Sequence, residues 1–160
     1  MHVTLRPATP DDQDFLFQNY AATRADDLPF VGLDERQREF LLKMQFNAQQ
    51  QSYAASHPQA DNDIVLADEQ PAGRMMVDRS GDAISFIDIA LLPQYRNAGI
   101  GTSLIKGLLS EAVAKNLPIR MHVRKANVNA LRLYERLGFS VRGDDGMYLR
   151  MEFVPARDKE

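Results

Sequence analysis

Cysteine and tryptophan are absent from this chain, and histidine occurs three times in 160 residues. Without a thiol there is no disulfide, no thiolate nucleophile and no cysteine-held zinc or iron–sulfur centre. His2, His57 and His122 stand far apart and form neither an HExxH nor an HxxxH pair, so no metal is expected. No stretch approaches the roughly 18 uncharged apolar residues of a membrane span. The opening MHVTLRPATPDD carries acids where a signal peptide needs its apolar run. The expectation is a cytoplasmic protein that does not engage a membrane.

What is present is ordinary for a globular chain: 44% hydrophobic and 26% charged residues, enough for one core over residues 1–160. The net charge of −3 is unevenly spread. Residues 1–80 hold 13 acids and 7 bases, and residues 81–160 hold 9 acids and 12 bases. The second half, at +3, suits a polyanionic ligand. Its bases are scattered through helical and strand patterns instead of forming a stripe, which argues against a nucleic-acid surface.

Strand and helix signals alternate along the chain without a linker or repeat. Val3 to Arg6 alternates as a strand, and Thr9-Pro10-Asp11-Asp12 supplies a cap, a first-turn proline and an acid for a helix reaching Ala22. Thr23 to Leu33 reads as a loop. Asp34 with Gln37 caps a second helix toward Ala55. Ile64 to Ala67, Gly73 to Val77 and Ile84 to Leu92 read as a meander of strands, the last apolar enough to be central. Gly99 to Asn116 sets Ile100, Leu104, Ile105, Leu108, Leu109, Ala112 and Val113 at helical spacing, and Pro118 ends that helix. Ile119 to Val123 is a further strand. Val128 to Leu137 is a helix closed by Gly138, and two strands around Gly143-Asp144-Asp145-Gly146 finish the chain. The fold class is α/β (α+β): a mixed, mostly antiparallel sheet of about seven strands flanked by four helices.

The richest segment is Ile87 to Gly101, IDIALLPQYRNAGIG. A strand halts at Pro93, and Gly99-Ile100-Gly101 opens the long helix. Glycines there let a ligand approach the backbone, and the unsatisfied N–H groups of the first turn favour an anion. Leu104 stands where GxGxxG needs its third glycine, and no GxxxxGK[ST] occurs, so dinucleotide and Walker-type readings fail.

Arg96-Asn97-Ala98-Gly99-Ile100-Gly101 fits R/Q-x-x-G-x-G/A, and so resembles the acetyl-CoA pyrophosphate loop of the GNAT superfamily of N-acetyltransferases. Asn127 to Phe139, NVNALRLYERLGF, is similar to that family's N-x-x-A-x-x-L-Y-x-x-x-G-F, and LRPATPDD resembles its opening. The likeness spans essentially the whole chain. It implies a single GNAT-like acyl-CoA N-acyltransferase domain, with acetyl-CoA as cosubstrate and no metal. It also implies an enzyme that transfers acyl groups other than amino-acyl groups, acting on a small-molecule or peptide amine. Homodimers are common among similar folds.

The resemblance implies roles residue by residue. The backbone of Ile89, Ala90 and Leu91 would pair with acetyl-pantetheine, where Pro93 ends regular strand pairing. The N–H groups of Asn97, Ala98, Gly99, Ile100, Gly101 and Thr102 would hold the pyrophosphate, with Arg96 adding charge. Asn127 would bond the pantetheine arm; the residue type also suits a plain helix cap. Tyr134 would protonate the leaving thiolate as general acid, although Leu131 and Leu137 on its face equally suit a packed core tyrosine. His122 stands where some relatives carry a glutamate base. A neutral imidazole can accept the amine's proton, or simply sit on its strand. Asp88, an acid in an apolar run, is the rival base, with a hydrogen bond to neighbouring backbone as its structural alternative.

Acidic Asp26, Asp27, Asp34 and Glu35 in one loop and Asp144 and Asp145 in the last turn suggest a cationic acceptor. Tyr20, Phe30, Tyr53 and Tyr148 are candidate pocket walls. A non-catalytic acetyl-CoA sensor is the alternative function. A modifier of RNA is a third reading, disfavoured by the acidic first half.

Overall fold

The computed structural model describes residues 1–24 and 32–156. Seven strands form a sheet in the order β1-β2-β3-β4-β5-β7-β6. The strands are β1 (Val3–Pro7), β2 (Asp61–Ala67), β3 (Gln70–Asp78), β4 (Ile84–Leu91), β5 (Ile119–Arg124), β6 (Ser140–Asp144) and β7 (Tyr148–Phe153). Four α-helices accompany them: α1 (Gln13–Arg24), α2 (Glu35–Ser56), α3 (Ile100–Lys115) and α4 (Val128–Arg136). β4 is the middle strand of the order, as its apolar run foretold. Its parallel pairing with β5 comprises Ile84 with Ile119 and Ser85 with Arg120; β1 with β2, β5 with β7, and β6 with β7 are antiparallel.

The contacts divide into two compact units, Met1–Met76 with Asp88–Ile100 and Val77–Ile87 with Gly101–Glu160. In the first, Leu16 and Tyr20 of α1, Leu42 and Phe46 of α2, and Ile64 of β2 form the buried cluster. The Phe46 ring lies 5.6 Å from both Phe17 and Tyr20. The Asp34 cap is present: its carboxylate accepts the Gln37 N–H at 2.8 Å, while Gln37 Oε1 accepts the Asp34 N–H at 3.1 Å. β2 turns into β3 through Asp68 and Glu69, both at positive φ, a two-residue hairpin built without glycine.

Before α1, a tight turn at Pro10–Asp12 brings Asp12 under two donors. Arg6 reaches both carboxylate oxygens at 2.9 Å, and the Thr9 N–H donates at 2.8 Å. The Arg6 guanidinium, then the Thr9 amide, hold the Asp12 carboxyl well below the usual carboxylate range. A depressed folded-state pKa gives stability that is present above the ordinary carboxylate pKa and lost as pH falls toward the folded value. Melting temperature of the wild type should therefore fall more steeply below about pH 4 than that of Asp12→Asn. Parallel acid limbs in thermal melts would contradict this.

In the second unit, α3 buries Ile105, Leu108 and Ala112, while Val113, expected in the same stripe, is 58% exposed. β5 alternates buried Ile119, Met121 and Val123 with exposed Arg120, His122 and Arg124. Tyr134, Phe139 and Phe153 follow one another at 5.8 Å centroid spacings. Gly138, at φ 104°, closes α4: the Phe139 N–H returns to the Tyr134 carbonyl and the Gly138 N–H to that of Glu135.

Candidate functional site

Three contacts within the first unit set the backbone of β4 at its end. Gly73 of β3 lies against Ala90 and Leu91, where a Cβ would overlap the Ala90 carbonyl oxygen and stand 2.9 Å from Leu91 Cα. Leu92 donates its N–H to the Ala72 carbonyl at 2.8 Å. Asn19 of α1, 2% exposed, donates through Nδ2 to the Ala90 carbonyl at 3.1 Å. Its Oδ1 is buried without a partner, a cost of about 1–3 kcal/mol for such a group. The Leu91 carbonyl accepts from Arg96 Nε at 2.9 Å. Of the three residues whose backbone the sequence singled out, Ala90 and Leu91 thus have carbonyls that carry side-chain donors, and Arg96 is tied back to the strand it follows.

Beyond Leu92, a turn at Pro93–Tyr95 leads into an exposed loop, Arg96 to Gly99. Asn97 (φ 58°) and Gly99 (φ 82°) take left-handed backbone conformations, which Asn tolerates and Gly favours. Ile100, 2% exposed, anchors the start of α3 while the residues before it remain in solvent. A Cβ at Gly99 or Gly101 would meet nothing within 4 Å, so open space adjoins the helix entrance. The first amides of a 16-residue helix have no intrahelical acceptor and sit at its positive end. Such amides at the positive end of a helix favour an anion.

In the second unit, Gly101 and Thr102 continue that first turn, half-buried. Asn127 Oδ1 caps α4 by accepting the Ala130 N–H at 3.2 Å. That bond uses the oxygen only, so the cap and an amide donated to a ligand are compatible. Tyr134 is 9% exposed and meets the Phe139 ring edge-on at 71°. His122 is exposed, with Nε2 3.7 Å from Asp145 Oδ2, and Arg150 Nε lies 3.5 Å from the same oxygen.

Asp88 has a different partner from the one expected. Its Oδ2 accepts from Arg74 Nη2 at 2.6 Å, an ion pair instead of a bond to neighbouring backbone. Arg74 itself is a functional candidate that sequence reasoning passed over. Its signal was a guanidinium inside the buried run Ala72 to Val77, a charge that must find a partner. The acids of the last turn are also matched by cations. Lys125 Nζ lies 2.5 Å from Asp144, and that contact, with the Gly146 N–H, lowers the Asp144 carboxyl from its ordinary value. Asp26, Asp27 and Phe30 lie outside the described residues. Tyr20 packs in the first unit's core, Tyr53 faces Arg74, and Tyr148 lies beside Arg124. Among the described residues no group of three or more His, Cys, Asp or Glu is placed to hold a metal, and no helix is long and apolar enough to cross a membrane.

Residues 18–139 match the acetyltransferase (GNAT) family, and the chain belongs to it. No curated protein sequence matches. Solved structures with the same fold include the PaiA N-acetyltransferase of Thermoplasma acidophilum in complex with coenzyme A. It is 18% identical at TM-score 0.70, over 96% of this chain and 99% of that one. A histone acetyltransferase HPA2-related protein of Corynebacterium glutamicum is 20% identical at TM-score 0.70 over the full length of both. The ribosomal-protein-S18-alanine N-acetyltransferase of Escherichia coli is 19% identical at TM-score 0.65, covering 99% of this chain and 97% of its own.

Proposed function

We propose that this chain is an acetyl-CoA-dependent N-acetyltransferase that transfers the acetyl group to a primary amine of a small molecule or peptide. The observation that carries the reading is the entrance of α3. There an exposed Arg96–Gly99 loop, two left-handed backbone positions and the open space beside Gly99 and Gly101 coincide with the family match. Acetyl-CoA brings the activated thioester. The chain's own residues bind and orient it: the amides of Asn97 to Thr102 receive the pyrophosphate, Arg96 adds charge, and Asn127 Nδ2 donates to the pantetheine arm. The backbone of Ile89, Ala90 and Leu91 aligns the thioester end. Tyr134 gives its phenolic proton to the departing sulfur, and His122 takes the proton from the attacking amine, directly or through water. The amine attacks directly in a ternary complex, a reading supported by the lack of cysteine, the most obvious covalent acetyl carrier. A cytoplasmic setting belongs to the same proposal.

Asn19 serves this function by position. Leucine nearly matches asparagine in shape; Asn19→Leu removes an orphan acceptor but also a hydrogen bond that contributes about 1 kcal/mol, so the melting temperature should move by only a few degrees. The same variant should raise the KM for acetyl-CoA several-fold, because Ala90 is no longer held. A fall in stability with unchanged KM would assign Asn19 a purely structural role.

The function is tested by free-thiol release from acetyl-CoA against polyamines, amino acids, aminoglycosides and short peptides. Amine-dependent release supports the transferase. Tight acetyl-CoA binding without release over the whole panel would replace it with the sensor reading, and absence of binding would refute both.

A further inference from the structure

The exposed face of the second unit's strands carries an excess of positive charge, in a chain whose net charge is −3. Arg120, His122 and Arg124 project from the exposed side of β5, and β7 sets Glu152, Arg150 and Tyr148 directly opposite them. The edge strand β6 and its turn add Arg142, Asp144 and Asp145, and Lys125 follows β5. Among the described residues that face gathers five Arg and Lys against three acids, and each acid has a partner. Glu152 accepts from Arg120 Nε at 2.9 Å and stands 3.6 Å from Arg142 Nε. Asp144 is taken by Lys125, and Asp145 is shared by His122 and Arg150. The Nη groups of Arg120, Arg142 and Arg150 donate no hydrogen bond to the described residues, and these side chains are 54–58% exposed. Exposed ion pairs contribute little, so these guanidiniums can turn to a ligand at small cost.

One of the three is held in a set place. Gly143 of β6 pairs with Arg150, and a Cβ at 143 would stand 2.6 Å from Arg150 Cζ and Nε. The guanidinium therefore lies against bare β6 backbone, beside Asp145, on the residue directly opposite His122. Directly opposed residues of an antiparallel pair hold their Cβ atoms about 5 Å apart, which is about the distance from a chain's terminal amine to the side chain of its second residue. The face is open, the His122 side chain being 63% exposed. Small-molecule sites are concave, so an open face of paired strands better suits an extended peptide.

We propose that the acceptor is a peptide whose second residue is acidic, with its terminal amine at His122 and its carboxylate on Arg150. The proposal rests on the transferase reading of His122, and it reverses the cationic acceptor that the acidic turn suggests from sequence. Three tetrapeptide amides test it, with Asp, Asn or Lys second in an otherwise all-alanine chain. Thiol release from acetyl-CoA should show kcat/KM at least tenfold higher for the Asp peptide than for the Asn peptide, with the Lys peptide lowest. Gly143→Ala changes no charge, yet by pushing the guanidinium aside it should lower the Asp-to-Asn ratio at least threefold. Arg150→Gln should abolish the preference. A structural role alone would slow both peptides together and leave the ratio unmoved. Equal release from the three peptides, or an unchanged ratio in Arg150→Gln, would overturn the proposal and leave the transferase standing. Where no peptide is turned over, calorimetric titration of the coenzyme A complex reads the same order as binding. Tightest binding of the Asp peptide, with no release from any amine, would uphold the recognition and refute the transferase; no peptide binding would overturn the proposal. Single-stranded RNA that displaces the Asp peptide at physiological salt would overturn it too, and assign the face to nucleic acid.

Discussion

Gly73→Ala should lower the melting temperature by roughly 6–12 °C, from about 3 kcal/mol of lost stability at the scaling for a chain of this size. The added methyl would meet backbone on β4, the Ala90 carbonyl oxygen and Leu91 Cα, and no rotamer change can relieve that contact. The strands must part locally, which weakens the Leu92 to Ala72 hydrogen bond at 2.8 Å and the Asn19 to Ala90 bond at 3.1 Å. Each such bond contributes about 1 kcal/mol net, and the overpacking adds 1–3 kcal/mol. Thermal melts give the first reading. Gly101→Ala is the control: its Cβ enters open space, so its melting temperature should move far less. Equal shifts in the two variants would refute the close approach as the cause.

Tyr134→Phe should reduce kcat about 100-fold or more, the range for losing a positioned general acid, while the melting temperature stays within a few degrees. The ring keeps its edge-on contact with Phe139, so the phenyl substitute preserves the packing. Tyr134→Ala should lose both, since truncating a buried aromatic costs about 3–5 kcal/mol. The pair of variants separates the two roles that the sequence left open for this residue. Full activity in Tyr134→Phe would leave packing as its sole contribution.

Much of the architecture was legible because period and punctuation agree in this chain. The α3 stripe, the Asp34 cap with Gln37 and the Gly138 stop each carry a local signal, and each stands where it was expected within a residue or two. β3 begins earlier than its apolar run, at Gln70, because Pro71 is tolerated near a strand start and the turn before it uses Asp68 and Glu69 without glycine. The order β5-β7-β6 has no local signature at all. In the site, the glycine-bearing helix entrance was visible because its chemistry is contiguous in sequence. What escaped was long-range: Asn19 meets Ala90 across 71 residues, and Arg74 meets Asp88 across 14. Asp88 announced only its need for a partner, and the pairing of strands chose which one.

α4 has nine residues, fewer than the roughly 12–15 an isolated helix needs to persist in water. It is held at one end by Asn127 and at the other by the turn over Gly138. Its persistence therefore rests on those two ends and on the packing of Tyr134 against Phe139, which makes it an early candidate to open in the folded protein. Amide exchange over 128–136 would then report how often Tyr134 leaves its post, a clock that runs independently of the chemistry it serves.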